Sequence, residues 1–351
     1  MQFLEKEDFL EAYQELQEKD RFTEKSFDDF EQEQKILAEK VVKQKFRPLF
    51  SRVKKLNLLD MKGLYSQLFK KGAENQEILL DDWTQICTQT VDTLANYKIS
   101  YEDATPFVYL QDLLKGRKST TGIRHIFIDE AQDYSPFQFA LIKRLFPYSK
   151  MTLLGDFNQA IFSGATGSAT VISDYEEKGE DVEKIVLTKT YRSTKEIVDF
   201  TSSLVEGGEK IEPFNRHGKK PSVKLAEQNQ LNGLILGKIN EFLNEGHRTI
   251  AVICRTAAES KRVYAALKDN IPVHLIEKAT IAYEKGILVI PSYLAKGIEF
   301  DGVILYDSSQ YKNESERKLF YTVCTRAMHR LHMYAAKDIS PLINRGPGSL
   351  Y

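Results

Sequence analysis

The stretch HIFIDEAQDYSP, residues 125–136, is a short β-branched and aromatic run that ends in two carboxylates, Asp129 and Glu130. An acidic pair just past a buried strand can serve a bound nucleotide. The aspartate holds Mg²⁺ against the β- and γ-phosphates, and the glutamate lies within reach of a proton on an attacking water. The same residues permit a plainer reading, in which Asp129 or Asp133 caps a helix starting near Pro136. Four further stretches carry candidate chemistry. MTLLG ends in Gly155-Asp156, with Asn158-Gln159 beyond it, so Gln159 could orient a water against a γ-phosphate or be an ordinary loop residue. LTKTYRSTKEI (187–197) offers the flat face of Tyr191 to a base and the charge of Arg192 to a phosphate, with Ser193 or Thr194 as a helix cap. LVIPSYLAKGIEFDGVILY (288–306) places Lys296, Gly297 and Glu299 in a loop between two apolar strands, and LFYTVCTRAMHRLHMY (319–334) places Arg326 near a helix end, before another strand.

These residues need a scaffold that brings strand ends together. Residues 1–115 have few Gly or Pro and carry periodic Leu, Phe and Tyr within charged segments, so FLEAYQELQ and KILAEKVVKQKF are expected to be amphipathic helices. From about residue 122 short apolar runs alternate with helix-length segments: IRHIFI, KMTLLG, EKIVLT, RTIAVIC, GILVIP, DGVILY and RLHMYA. That alternation predicts an α/β fold with a parallel, doubly wound sheet, whose ligands bind beyond the carboxyl ends of the strands. EGGEKIEPFNRHGKKPS (206–222) is expected to be a surface loop or linker.

The chain has 351 residues, 42% hydrophobic and 28% charged, with a formal charge of −1, as a globular protein of two or three domains would. The charge is unevenly spread. Residues 1–33 hold twelve acidic and four basic side chains, whereas residues 35–55 hold eight basic and one acidic. The basic run is either a solvated helix face or a salt-dependent nucleic-acid contact. Cys87, Cys254 and Cys324 have no zinc spacing, which argues for a reducing compartment and against a metal site built on cysteine. No stretch reads as a signal peptide or a membrane span, and a cytoplasmic location without a membrane partner is expected.

In order along the chain, IDEAQD, LLGDFNQAIF, LTKTYRSTKEI, AKGIEFDGVILYD and FYTVCTRAMHRL resemble motifs II to VI of superfamily 1 helicases of the UvrD/Rep type. The PSYLAKGIEFD form of motif V most resembles the DNA helicase IV/HelD-like branch. The resemblance implies two RecA-like parallel-sheet motor domains, the first incomplete here, preceded by a mainly helical region. Its boundaries would be 1–118 for the helical region, 119–188 for the partial first motor domain and 189–351 for the second. It also implies ATP and Mg²⁺ in the cleft and movement along single-stranded DNA. Asp129 would coordinate Mg²⁺ and Glu130 would activate water. Gln159 would sense the γ-phosphate, Tyr191 would stack on adenine, and Arg192 and Arg326 would reach the γ-phosphate. Gly297 and Glu299 would bind the nucleotide, Glu299 contacting its ribose. Phe162, Tyr293 and Lys296 would face nucleic acid.

The sequence departs from that pattern in one large respect. A phosphate loop reads GxxxxGK[ST], but Gly218-Lys219 is followed by Lys220, Gly237-Lys238 by Ile239, and neither has a Gly five places before its own. The expectation is therefore the C-terminal portion of a longer helicase, its P-loop lying in a missing N-terminal portion, whether through fragmentation, a split gene or degeneration. Motif III is also short, Phe162-Ser163 running straight into Gly164-Ala165, and Tyr293 stands where the family often has His. The interval between motifs IV and V is too short for the second large insertion of the UvrD/Rep enzymes. The alternative is a non-hydrolysing HelD-like binding or regulatory module that acts on nucleic acid or RNA polymerase.

Overall fold

The computed structural model describes residues 30–54, 59–72, 82–116, 120–161, 182–280 and 285–343. The chain divides into two compact units, one of Met1–Thr120 with Arg144–Pro147, the other of Thr121–Lys143 with Tyr148–Tyr351.

The first unit is helical. It contains α1 (Phe30–Lys54), α2 (Met61–Gly72), α3 (Trp83–Ala95) and α4 (Tyr101–Lys115). The expected helix over KILAEKVVKQKF lies inside α1, whereas FLEAYQELQ falls outside the described residues. Helix α4 starts where Ser100 Oγ accepts the Asp103 N–H at 3.1 Å, satisfying one orphan donor of the first turn. The Asp103 carboxylate then takes the Tyr65 hydroxyl at 3.0 Å, and the Tyr65 ring meets Phe69 and Phe107 edge-on.

The second unit holds the expected α/β architecture. Strands β1 (His125–Ile128) and β2 (Lys150–Leu153) pair in parallel, joined through α5 (Pro136–Leu145). A second parallel pair, β3 (Lys189–Thr190) with β4 (Glu212–Pro213), brackets α6 (Lys195–Ser202). Next come β5 (Ser222–Leu225), α7 (Leu231–Asn244), β6 (Ile250–Cys254), α8 (Ala257–Leu267), β7 (Val273–Leu275), β8 (Ile287–Pro291), β9 (Phe300–Leu305), α9 (Arg317–Cys324) and β10 (Ala327–Ala335). The six strands from β5 to β10 form one all-parallel sheet in the order β5-β10-β9-β6-β8-β7.

Burial explains why the inner strands β6 and β8 read as unbroken apolar runs. In β6, Ala251 and Ile253 face a core built with Ile197, Phe200 and Phe320, while Ile250, Val252 and Cys254 face another built with Ile235, Ile239, Phe242 and Val263. Both faces of the sheet are covered by helices, so both strand faces must be apolar. Ile253→Ala is expected to cost about 2–5 kcal/mol in a urea unfolding titration, because a fully packed site cannot collapse onto the lost methyls. A loss below about 1 kcal/mol would contradict this packing.

Two local expectations are corrected. EKIVLT yields no strand. Only Lys189–Thr190 beyond it pairs, and Ile185, Val186 and Leu187 are 74%, 67% and 88% exposed. Strand propensity is realised only against a neighbouring strand, and none pairs with 182–187 among the described residues. Residues 206–222 are largely exposed, as a surface loop would be, but they are not all irregular. They contain a 3₁₀ turn (Gly208–Lys210), β4 and the first residue of β5. The Glu196 carboxylate gathers His217 Nδ1 at 2.9 Å and the Gly218 N–H at 2.7 Å, which fixes the later part of the segment.

Candidate functional site

Five separated segments of the second unit supply the site, beginning with the carboxyl end of β1. The Leu154 N–H donates to the Ile128 carbonyl and the Ala131 N–H to the Leu154 carbonyl, each at 2.8 Å, so the chain leaving β1 is tied to β2 as the acids emerge. Glu130 adopts φ +50°, the left-handed region, and its N–H donates to Asp129 Oδ1 at 2.9 Å. A non-glycine residue held there costs about 1–3 kcal/mol, and such strain clusters at functional sites. The helix-cap alternative fails on geometry. Ser135 caps α5 through a reciprocal pair with Gln138: the Gln138 N–H reaches Ser135 Oγ at 3.3 Å, and the Ser135 N–H reaches Gln138 Oε1 at 2.7 Å. Asp129 and Asp133 are left for other work.

Gln132, 1% exposed, is the hidden strut of the site. Its Nε2 donates to Glu130 Oε2 at 2.6 Å and its Oε1 accepts the Asp156 N–H at 3.2 Å, joining the loops after β1 and β2. Gly155 permits this approach, since a Cβ there would stand 2.3 Å from Gln132 Oε1. In the β2 loop, Asp156 Oδ2 accepts from Gln159 Nε2 at 2.8 Å, which turns the glutamine's Oε1 outward.

That Oε1 receives Arg326 Nη2 at 2.5 Å. Arg326 leaves α9 just before β10, and its Nε donates to the Thr322 carbonyl at 3.0 Å. It is 2% exposed. Burial, reinforced by the nearby Arg192 guanidinium, pushes its pKa down to about 10 against the opposing pull of Glu130, Glu299 and Tyr321. It remains charged at neutral pH and short of compensating negative charge. Arg192 Nε lies 2.5 Å from Glu299 Oε1. Gly297, two residues before Glu299, turns the loop at φ +80°, where any other residue is strained.

Lys296 closes the arrangement. Its ammonium donates to both Asp133 carboxylate oxygens at 2.7 Å and to the Gln159 carbonyl at 2.9 Å, and stands 3.3 Å from Glu130 Oε2. Its side chain is 8% exposed. A sequence reading that set Lys296 toward nucleic acid is met by a geometry in which the ammonium already serves three partners. Tyr191 is 61% exposed and leans on Phe214, and Tyr293, 38% exposed, follows the carboxyl end of β8. Phe162 and Gly164-Ala165 lie outside the described residues.

Asp129, Glu130 and Asp133 present hard oxygen donors, the type Mg²⁺ takes one or two at a time together with phosphate oxygens. Among the described residues no group of three or more His, Cys, Asp or Glu is arranged to hold a metal ion. A phosphate anion suits the two guanidiniums, of which the buried one has no carboxylate hydrogen-bond partner among the described residues. Neither Gly-Lys pair forms a phosphate cradle: Gly237 lies inside α7, and the Lys219 ammonium is held by Glu245 at 2.7 Å.

Residues 2–179, just over half of the chain, match the model of the UvrD/REP helicase N-terminal domain. The chain belongs to the UvrD/REP helicase family. Residues 286–334 match the UvrD-like helicase C-terminal domain. Relatives of this UvrD/REP chain include DNA helicase IV of Escherichia coli, 28% identical over 244 residues (63% of this chain, 35% of that protein). The ATP-dependent DNA helicase PcrA of Bacillus subtilis is 24% identical over 242 residues (66% and 30%). A solved C-terminal domain of a possible DNA helicase from Lactobacillus plantarum is 35% identical, covers 46% of this chain and 97% of that one, and has a TM-score of 0.41. The chain spans about a third of the length of these curated relatives. No described helix is long and apolar enough to cross a membrane.

Sequence reasoning missed three residues in or beside this candidate site. Gln132 sits inside the recognised DEAQD, where its burial has no sequence signature. Asp133 appeared only as a possible cap. Phe214 lay in the stretch expected to be a linker, and its one signal was an aromatic residue in a polar segment.

Proposed function

We propose that this chain supplies the metal-facing carboxylates, the water-orienting glutamine and the arginine wall of an ATP-driven motor that moves on single-stranded DNA. A segment other than these residues would supply the phosphate loop. In this reading 119–188 belong to one RecA-like motor domain and 189–351 form the second, with 1–118 as a helical insertion. The observation that supports it most is the hydrogen bond of Arg326 to Gln159, 167 positions apart, beside Glu130 and Arg192.

Phosphoryl transfer is catalysed chiefly by positioning and charge. Mg²⁺, entering with ATP, would supply neutralisation of the phosphate charge. Asp129 would hold it, Glu130 would take the proton of the attacking water, and Gln159 would orient that water. Arg192 and Arg326 would face the γ-phosphate, so turnover requires the arginine wall and the carboxylates to close on one ligand. Tyr191 would stack on adenine and Glu299 would reach the ribose, exchanging its bond to Arg192. Tyr293 offers a ring to a DNA base. Lys296 could reach nucleic acid only after releasing Asp133.

The test measures ATP turnover stimulated by single-stranded DNA, first for the chain alone and then for the chain joined to a segment carrying GxxxxGK[ST]. Turnover is expected only in the joined protein, and Glu130→Gln should lower it by about 10²–10⁴-fold. Turnover by the chain alone would overturn the need for an outside phosphate loop. No turnover in the joined protein would leave a binding module rather than a motor.

A further inference from the structure

We infer that Phe214 is a positioning residue for the nucleotide base: it holds the Tyr191 ring at the angle from which that ring stacks on a purine, and so sets a preference for purine over pyrimidine nucleotides. The inference rests on the reading above that Tyr191 meets the base.

The two rings lie 5.1 Å apart between centroids, with planes inclined at 41°. Both remain well exposed, Tyr191 at 61% and Phe214 at 44%, although large aromatic side chains are usually better covered. They are neighbours because of a ladder only two residues long. Lys189 pairs with Glu212 and Thr190 with Pro213, which sets residues 191 and 214 next in register. The Glu212 N–H donates to the Thr188 carbonyl at 2.9 Å and the Phe214 N–H to the Thr190 carbonyl at 3.0 Å, one bond on each side of that register.

The backbone around the pair is pinned further. The Arg216 guanidinium donates to the Arg192 carbonyl, and the Lys195 N–H donates to the Arg216 carbonyl at 2.8 Å. The segment after Tyr191 is thus tied to the segment after Phe214, and Tyr191 sits one residue from the guanidinium facing Glu299. A lone exposed tyrosine must lose rotamer freedom when it stacks. With Phe214 against it, part of that ordering is already done in the free protein. A two-ring purine overlaps the held Tyr191 ring more fully than a one-ring pyrimidine does, and so gains more from that ordering.

The test uses the whole chain and saturation-transfer difference NMR with ATP and CTP as ligands. Wild type is expected to bind ATP more tightly than CTP. Phe214→Ala should weaken ATP roughly 3- to 10-fold, and CTP by no more than about twofold, the range of an aromatic pair beyond its area burial. Phe214→Tyr should keep the wild-type ratio, and Arg192→Ala should weaken both nucleotides alike. Phe214→Leu, which keeps bulk but removes the ring, should behave as Phe214→Ala does, with a melting temperature near wild type. An unchanged ATP/CTP ratio in both Phe214→Ala and Phe214→Leu, alongside lost binding in Tyr191→Ala, would overturn the inference and leave the base site standing. Wild type indifferent to the base, with Tyr191→Ala unchanged, would sink the base site itself.

Discussion

Arg326→Ala is expected to lower the DNA-stimulated ATP turnover of the joined protein by at least about 10³-fold, the lower end of what finger arginines contribute in GTPases. Four features of the residue support so large an effect. It is 2% exposed, its Nε is committed to Thr322, its Nη2 already meets Gln159, and burial beside Arg192 leaves its charge undercompensated. A guanidinium held this way needs little reorganisation to meet an incoming phosphate, which is what makes an electrostatic catalyst effective. Arg326→Lys should recover little, because an ammonium cannot address Thr322 and an anion in the same fork. Steady-state turnover with saturating ATP and DNA is the measurement. A loss below about tenfold would show that the wall acts through Arg192 alone.

Lys296→Met is expected to destabilise the second unit by about 2 kcal/mol. Breaking a buried ion pair by removing one partner costs about 3–5 kcal/mol. The figure is lowered here because Asp133 and Glu130 keep 21% and 45% of their side-chain surface in water. For a folding unit of this size that is a fall of roughly 4–8 °C in melting temperature. Adding Asp133→Asn to Lys296→Met should restore part of the loss, since the penalty is an unpaired carboxylate and not missing bulk. Mg²⁺ should also raise the melting temperature of Lys296→Met more than that of wild type, because the variant leaves Asp133 and Glu130 facing each other without the ammonium. Equal response of the two proteins to Mg²⁺ would show that these carboxylates do not share a cation.

The parts of the site that could be read from the sequence were those with a local pattern. Asp129, Glu130, Gln159, Arg192, Glu299 and Arg326 each follow or precede an apolar run, and their order along the chain is itself a signal. The parallel sheet was legible for the same reason: both faces of β6 and β8 are buried, so their sequences are continuously apolar. What stayed hidden depends on distance in the chain. The Lys296 ammonium meets Asp133 across 163 positions, and the Arg326 guanidinium meets Gln159 across 167. No window of sequence encodes either meeting. Gln132 was concealed differently, as a polar residue buried because two loops need one amide to join them. EKIVLT erred the other way. Its composition suits a strand, and composition alone does not provide a neighbour.

Ile185, Val186 and Leu187 therefore bear on how long the chain survives in a cell. Three consecutive apolar residues in irregular backbone, open to water, are the kind of segment that chaperones hold and proteases enter. Their removal from solvent by any stable covering would shift that triage toward persistence, with no change in the site itself. Abundance, and not turnover, would then be the first property to respond to such a covering.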